Sequence, residues 1–188
     1  MTVTMMDRPL AEGKGALAQA MAHPAPRVLV TTAALSLPEV ALLHDAGARL
    51  ILAGDDPLAF ALADLVLPGA LQLRLNLRQS AEIATLRNRV QAEGPLDRLI
   101  LAPPSSDPVE TLALMRLVLA FLPGMRTSGT RRAPGQIALL PQDGAAEATL
   151  CAFVAGLRPG LAAAGGPVLT VQPAGTAAPS RRLATHLV

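Results

Sequence analysis

The 188-residue chain has no tyrosine and no tryptophan, and it holds three phenylalanines, one cysteine, three histidines and a single lysine, Lys14. So few aromatic rings leave no stacking surface for single-stranded nucleic acid. Cys151 alone excludes an internal disulfide and a thiolate metal cluster. It sits in an apolar stretch with helical spacing, so it reads as a buried structural thiol rather than a nucleophile. His23, His44 and His186 are scattered without ligand spacing, so no metal site is expected. The longest apolar run, 109–122, contains Arg116 and is too short to span a bilayer. The N-terminus has no basic segment leading into an apolar stretch and a small-residue cleavage site, so a cytoplasmic protein is expected.

Basic charge is nearly all arginine, and the net charge is only +2. The pairs Arg131-Arg132 and Arg181-Arg182 read as solvated loop and tail charge, so neither nucleic acid nor membrane is an expected partner. Apolar residues make up 51% of the chain and charged residues 16%, enough for one folded domain with a full core.

Residues 1–26 mix small and polar side chains and read as a mobile arm, with a short helix over 10–22. From Arg27 the pattern becomes regular. RVLV (27–30) and RLILA (49–53) are short buried strands. Between them Ser36-Leu37-Pro38-Glu39 reads as a helix start, with Ser36 as cap and Glu39 at the capping-box position. Asp56-Pro57 opens a second helix, which Pro68-Gly69 breaks. ALQLRLNL (70–77) alternates, as a strand with one covered face does. Helical spacing over 80–93 ends at Gly94-Pro95, and LDRLILA (96–102) is a strongly buried strand. Asp107-Pro108 opens a helix that is apolar on nearly every side through Leu122. After a polar loop over 123–134 come a strand at 136–140, a helix over 145–158 that Pro159 bends or ends, and a strand at 167–172. Residues 176–188 form a tail. Six strands alternating with five helices predict a doubly wound, Rossmann-like parallel α/β sheet with helices on both faces, in one domain over 27–175.

The segment from Arg27 to Pro57 resembles the opening of the short-chain dehydrogenase/reductase family: a strand, a turn into a helix, an Asp-Ala-Gly-Ala turn at 45–48 and a second strand. Leu-Pro-Gly-Met at 122–125 and Pro-Ala-Gly at 173–175 extend the resemblance to Gly175. It implies NAD(P) chemistry in the family at large, but the family's functional positions are altered here. Its three cofactor-loop glycines fall at Thr32, Ser36 and Pro38, where side chains crowd a pyrophosphate and proline removes an N–H donor. The family's Asn-Asn-Ala-Gly becomes Leu101-Ala102-Pro103-Pro104. Its helix Asn falls at Glu110, which also reads as the capping-box partner of Asp107. Its Ser falls near Pro141 or Gln142, and its Tyr and Lys land on Asp143 and Glu147. Those two carboxylates read more simply as charge favoured at a helix start, and they cannot supply a phenol proton and an ammonium helper. Only Ser105-Ser106-Asp107 stands where the family usually has an extra helix, so a closed substrate pocket is not expected.

The resemblance also implies a pairing mode. In the family, the helices matching 108–122 and 145–158 form a four-helix bundle across a two-fold axis, and non-catalytic domains supporting an active partner occur, for example in polyketide ketoreductases. Leu112, Leu114, Met115, Leu117, Val118, Leu119, Phe121 and Leu122 on the first helix, with Leu150, Phe153, Val154 and Leu157 on the second, suggest such an interface. The partner is a second copy or an intact subunit of this family. The expectation is a non-catalytic structural or regulatory subunit with no cofactor. The alternative is an atypical NAD(P)-dependent oxidoreductase holding its cofactor through Thr31, Thr32, Ser36, Asp55 and Asn76. Asp55 reads more simply as ordinary loop charge, or as help in capping the helix at Pro57. A small-molecule sensor using the strand-end crevice is a third reading.

Overall fold

The computed structural model of the chain describes residues 25–125, 127 and 133–174. The arm and tail expected at the two ends lie outside these residues, apart from Ala25 and Pro26. Six parallel strands form one sheet in the order β3-β2-β1-β4-β5-β6. They are β1 (Arg27–Thr31), β2 (Arg49–Gly54), β3 (Leu71–Arg74), β4 (Arg98–Leu101), β5 (Gln136–Leu139) and β6 (Val168–Val171). Five helices connect them: α1 (Pro38–Asp45), α2 (Pro57–Val66), α3 (Ser80–Ala92), α4 (Pro108–Phe121) and α5 (Gly144–Ala163). The doubly wound sheet expected from the alternating pattern is therefore present, with the order reversing between β1 and β4.

The central strands are apolar along their length because both faces are covered. Leu29 pairs with Ile51 and Leu99, and all three belong to a core packed under α3, α4 and α5. Val28, Val30, Leu50, Leu52 and Ile100 point the other way, into a second core with Val40 and Leu43 of α1 and Ala63 of α2. The alternation read over 70–77 outlasts the strand: β3 ends at Arg74, while Leu75 and Leu77 still point into the first core. The turn after α1 depends on Gly47, whose φ of 82° suits a residue without a Cβ.

Three expectations are corrected. Ser36 does not cap α1. The chain first makes a 3-10 turn over Thr32–Ala34, so the helix starts at Pro38 with Leu37 at the cap position and no side-chain cap. Glu39 is drawn instead to Arg98, at 2.8 Å. Helix α5 does not stop at Pro159 but runs to Ala163. The carbonyl four residues back belongs to Ala155 on the exposed face, where water can serve it. Cys151 is exposed, because the inward stripe of α5 is Ala146, Leu150 and Val154, and Cys151 lies one position round the helix.

Two arginines at the starts of the central strands are buried. Arg27 donates to the carbonyls of Gly94 and Val90 and to Glu93, tying the end of α3 to β1. Arg98 reaches Glu39 on α1 and Gln136 on β5. Burial pushes the Glu39 carboxyl above its ordinary range, with Arg98 pulling it back. Burial likewise lowers the Arg98 guanidinium, with Glu39 opposing. Such a pair is costly to desolvate, and its main effect is to fix α1 over the sheet. Arg98→Leu strands the Glu39 carboxylate and is expected to cost about 3 kcal/mol. Adding Glu39→Leu should recover most of that loss, and denaturant unfolding of the single and double variants measures both.

Candidate functional site

A crevice of about 380 Å³ opens at the C-terminal ends of β1, β2, β3 and β4. This is the switch point where a doubly wound sheet leaves room for a ligand, because neighbouring connections depart to opposite faces. Four of the five cofactor residues expected from the sequence line it: Thr31, Thr32, Asp55 and Asn76. Ser36 is not among the lining residues and is exposed.

The four play different parts. Thr31, the last residue of β1, is buried, and its Oγ1 donates to the Ala102 carbonyl at 2.9 Å and accepts from the Ala102 N–H at 2.8 Å. Its hydroxyl holds β1 to the end of β4 and is not turned to a ligand. Thr32 lies over Gly54, where an added Cβ would overlap the Thr32 Oγ1 and stand 2.8 Å from its Cβ. The bare backbone at Gly54 is thus needed for Thr32. Asp55, at the end of β2, is exposed and has no hydrogen bond or ion pair among the described residues. Asn76 spends its Oδ1 on the Arg78 N–H at 3.0 Å, and its own N–H donates to Glu82 at 2.6 Å. These bonds shape the turn into α3.

Sequence reasoning missed Arg78, which crosses the mouth of the crevice. Its Nε donates to Glu110 Oε1 at 2.6 Å, and a terminal nitrogen reaches Asp107 at 2.9 Å. The hydrogen bond that Arg78 donates to Glu110 leads in holding the guanidinium proton more firmly than usual. The capping-box reading of Glu110 is therefore corrected. Asp107 does cap α4, accepting from the Val109 N–H at 2.9 Å. Its own N–H goes to Ser105, however, and Glu110 turns to the guanidinium, the stronger donor. A loop arginine 32 residues from its partner carries no local sequence signal.

At the far side of the sheet switch, the positions that the sequence resemblance sets against the family's catalytic groups are tied into the fold. Gln142 donates to the Pro103 carbonyl at 3.0 Å. Asp143 caps α5 by accepting from the Ala146 N–H at 2.8 Å, as expected of charge at a helix start. Glu147 accepts from the Ala174 N–H at 2.9 Å, pinning the chain after β6. No group of three or more metal-ligating side chains occurs among the described residues.

Gly54→Ala is expected to destabilise the protein by about 1–3 kcal/mol through the clash with Thr32. Combining it with Thr32→Gly removes the clash and should return part of the loss, as thermal unfolding midpoints would show.

No protein-family model and no curated protein matches the chain. Solved structures do share its architecture. A short-chain dehydrogenase from Streptomyces avermitilis is 22% identical with a TM-score of 0.57, over 79% of this chain and 65% of that one. Serine dehydrogenase from Escherichia coli is 21% identical with a TM-score of 0.55, over 77% of this chain and 80% of that one. A short chain oxidoreductase from Pseudomonas aeruginosa PAO1, described as containing an atypical catalytic center, is 18% identical with a TM-score of 0.57, over 78% of this chain and 67% of that one. The chain thus spans slightly less than two thirds of the first of these proteins. At these identities the likeness extends to the fold alone, a Rossmann-like doubly wound sheet that these structures share.

Proposed function

We propose that this chain is a non-catalytic member of the short-chain dehydrogenase/reductase family, acting as a structural or regulatory subunit through α4 and α5. One observation carries the reading. The elements that bear the family's proton-transfer pair are present, yet they hold no Tyr or Lys, and Gln142, Asp143 and Glu147 are all engaged in bonds that build the fold. Gln142 has no titratable proton to give, and Asp143 and Glu147 each commit one oxygen to the fold, whereas the family's chemistry needs a phenol and an ammonium.

The surface of the two helices supports the subunit role. Val109, Leu112 and Leu119 stand 49%, 51% and 48% exposed on α4. The outward face of α5 carries Ala148, Cys151, Ala152 and Ala155, small side chains that let another helix approach closely. Leu114, Leu117, Val118 and Phe121, and Leu150 and Val154 on α5, instead fill the core, so the contact surface is narrower than the apolar pattern implied. The partner is a second copy or an intact subunit of the same family, and the site of action is the cytoplasm.

A second reading, an atypical NAD(P)-dependent oxidoreductase, is favoured by the company the fold keeps. The structures described above are named as dehydrogenases or oxidoreductases, one with an atypical catalytic center, and the crevice at the switch point is open. The two readings part on turnover. Purified protein should convert no ketone or alcohol with a pyridine nucleotide. A rate abolished by a single change within this chain would establish the oxidoreductase instead. By light scattering after size exclusion, the protein should run larger than a monomer, alone or with its partner. Leu112→Glu should break that assembly without lowering the unfolding midpoint of the isolated chain. A clean monomer that pairs with no intact subunit of this family would overturn the interface.

A further inference from the structure

We propose that α2 is a separate subunit contact, at which two copies of this chain pair across a two-fold axis with their α2 helices antiparallel. The inference does not rest on the α4–α5 reading, since α1 and α2 cover the opposite face of the sheet.

Helix α2 is apolar on both of its sides. Ala63 is buried and Phe60 packs against the second core, so that side of the helix lies on the sheet. Away from the sheet stand Leu58, Leu62, Leu65 and Val66, each more than half exposed, and Leu65 to 80%. At the helical repeat these four fall in one stripe about 100° wide. Asp64 is the one charged residue of the helix. Single apolar side chains are ordinary on a surface, whereas four in one stripe form a patch of the kind that meets a partner. An interface of standard size, about 800 Å² per partner, is built around an apolar centre of this sort with a polar rim.

The stripe has the symmetry that self-pairing requires. Leu58, Leu62 and Val66 are spaced four apart, and reversing the helix about Leu62 lays Leu58 on Val66 and Leu62 on itself. A two-fold contact matches one surface to its own copy in this way. Ala61, exposed beside Leu62, is small enough to let the two backbones approach.

Charge selects the antiparallel direction. Asp55 and Asp56 stand exposed at the N-terminal end of α2, so parallel helices would bring both pairs of carboxylates together. Antiparallel helices turn each pair toward the other end of the second copy's α2. Arg49 stands near that end, beside Pro68 and Gly69, exposed and with no ion pair among the described residues. The two helix dipoles are then opposed as well.

Cysteine cross-linking of the full chain tests both the contact and its register. Cys151 is the chain's one cysteine, so Cys151→Ser gives a clean background. On mild oxidation Leu62→Cys should link to itself as a covalent dimer. Leu58→Cys and Val66→Cys should each link poorly alone and well when mixed. In the Leu112→Glu background, where α4–α5 association does not contribute, Leu62→Glu should raise the dimer dissociation constant at least about a hundredfold by analytical ultracentrifugation. Leu62 is half exposed, so the unfolding midpoint of the dilute chain should not fall. A monomeric Leu112→Glu protein would overturn the proposal, and so would Leu58→Cys linking to itself as readily as to Val66→Cys. A Leu62→Glu chain of unchanged mass and lower midpoint would also overturn it, by showing that the chain covers its own stripe. None of these results touches the α4–α5 contact, which the Leu112→Glu comparison reads by itself.

Discussion

The pairing of the Thr31 hydroxyl with the Ala102 backbone sets the form of the site. It joins the ends of the two central strands where the sheet order reverses. A buried hydroxyl with both its donor and acceptor used is worth keeping, since an orphaned backbone amide there would cost the full desolvation of that group. With β1 and β4 fixed, the next residue, Thr32, has nowhere to go but over the end of β2, and Gly54 is the residue that admits it. The 3-10 turn follows, and it delays α1 until Pro38. The turn after β1 is therefore a packed one whose side chains support one another.

Arginine does long-range work in this fold. Arg27 fastens α3 to β1, Arg98 fastens α1 and β5 to β4, and Arg78 fastens the β3 turn to α4. Each joins elements that are far apart in sequence, using the planar donor fork that suits carboxylates and carbonyls. The basic balance of the chain thus gives little cationic surface near the crevice, where carboxylates outnumber the one arginine. Net charge describes the whole molecule, and the field at a site comes from the groups that face it.

The strands and the topology were legible because parallel strands covered on both faces read as short apolar runs, and LDRLILA and RVLVT hardly allow another reading. Aspartate at 56 and 107 was legible as a cap because capping is local: each side chain accepts from an N–H two residues on. Asp143, read only as charge at a helix start, caps in the same way, three residues on. What failed was long-range competition. Ser36-x-x-Glu39 satisfies the capping-box spacing, but a buried guanidinium 59 residues away claims the glutamate. Glu110 likewise leaves its helix start for Arg78. Cys151 was misplaced for a different reason. In a helix rich in Ala and Leu, the apolar stripe is too diffuse to say which turn position faces inward, and packing against β6 and α4 decides it.

A catalytic group differs from a structural one in being held in place without being used up. Its proton or lone pair is available, and its environment shifts its affinity for a proton toward the task. At the start of α5 both carboxylates are drawn into the fold: Asp143 gives one oxygen to a helix amide, and Glu147 gives one oxygen to the chain leaving β6. Each such bond lowers the free energy of the folded state and raises the cost of turning that group to a substrate. Stability and proton transfer ask opposite things of the same side chains, and here each carboxylate gives one of its oxygens to stability. The crevice, by contrast, keeps the Asp55 carboxylate and the Asn76 side-chain N–H donors without partners among the described residues. Those groups can bind by hydrogen bonding without entering any reaction.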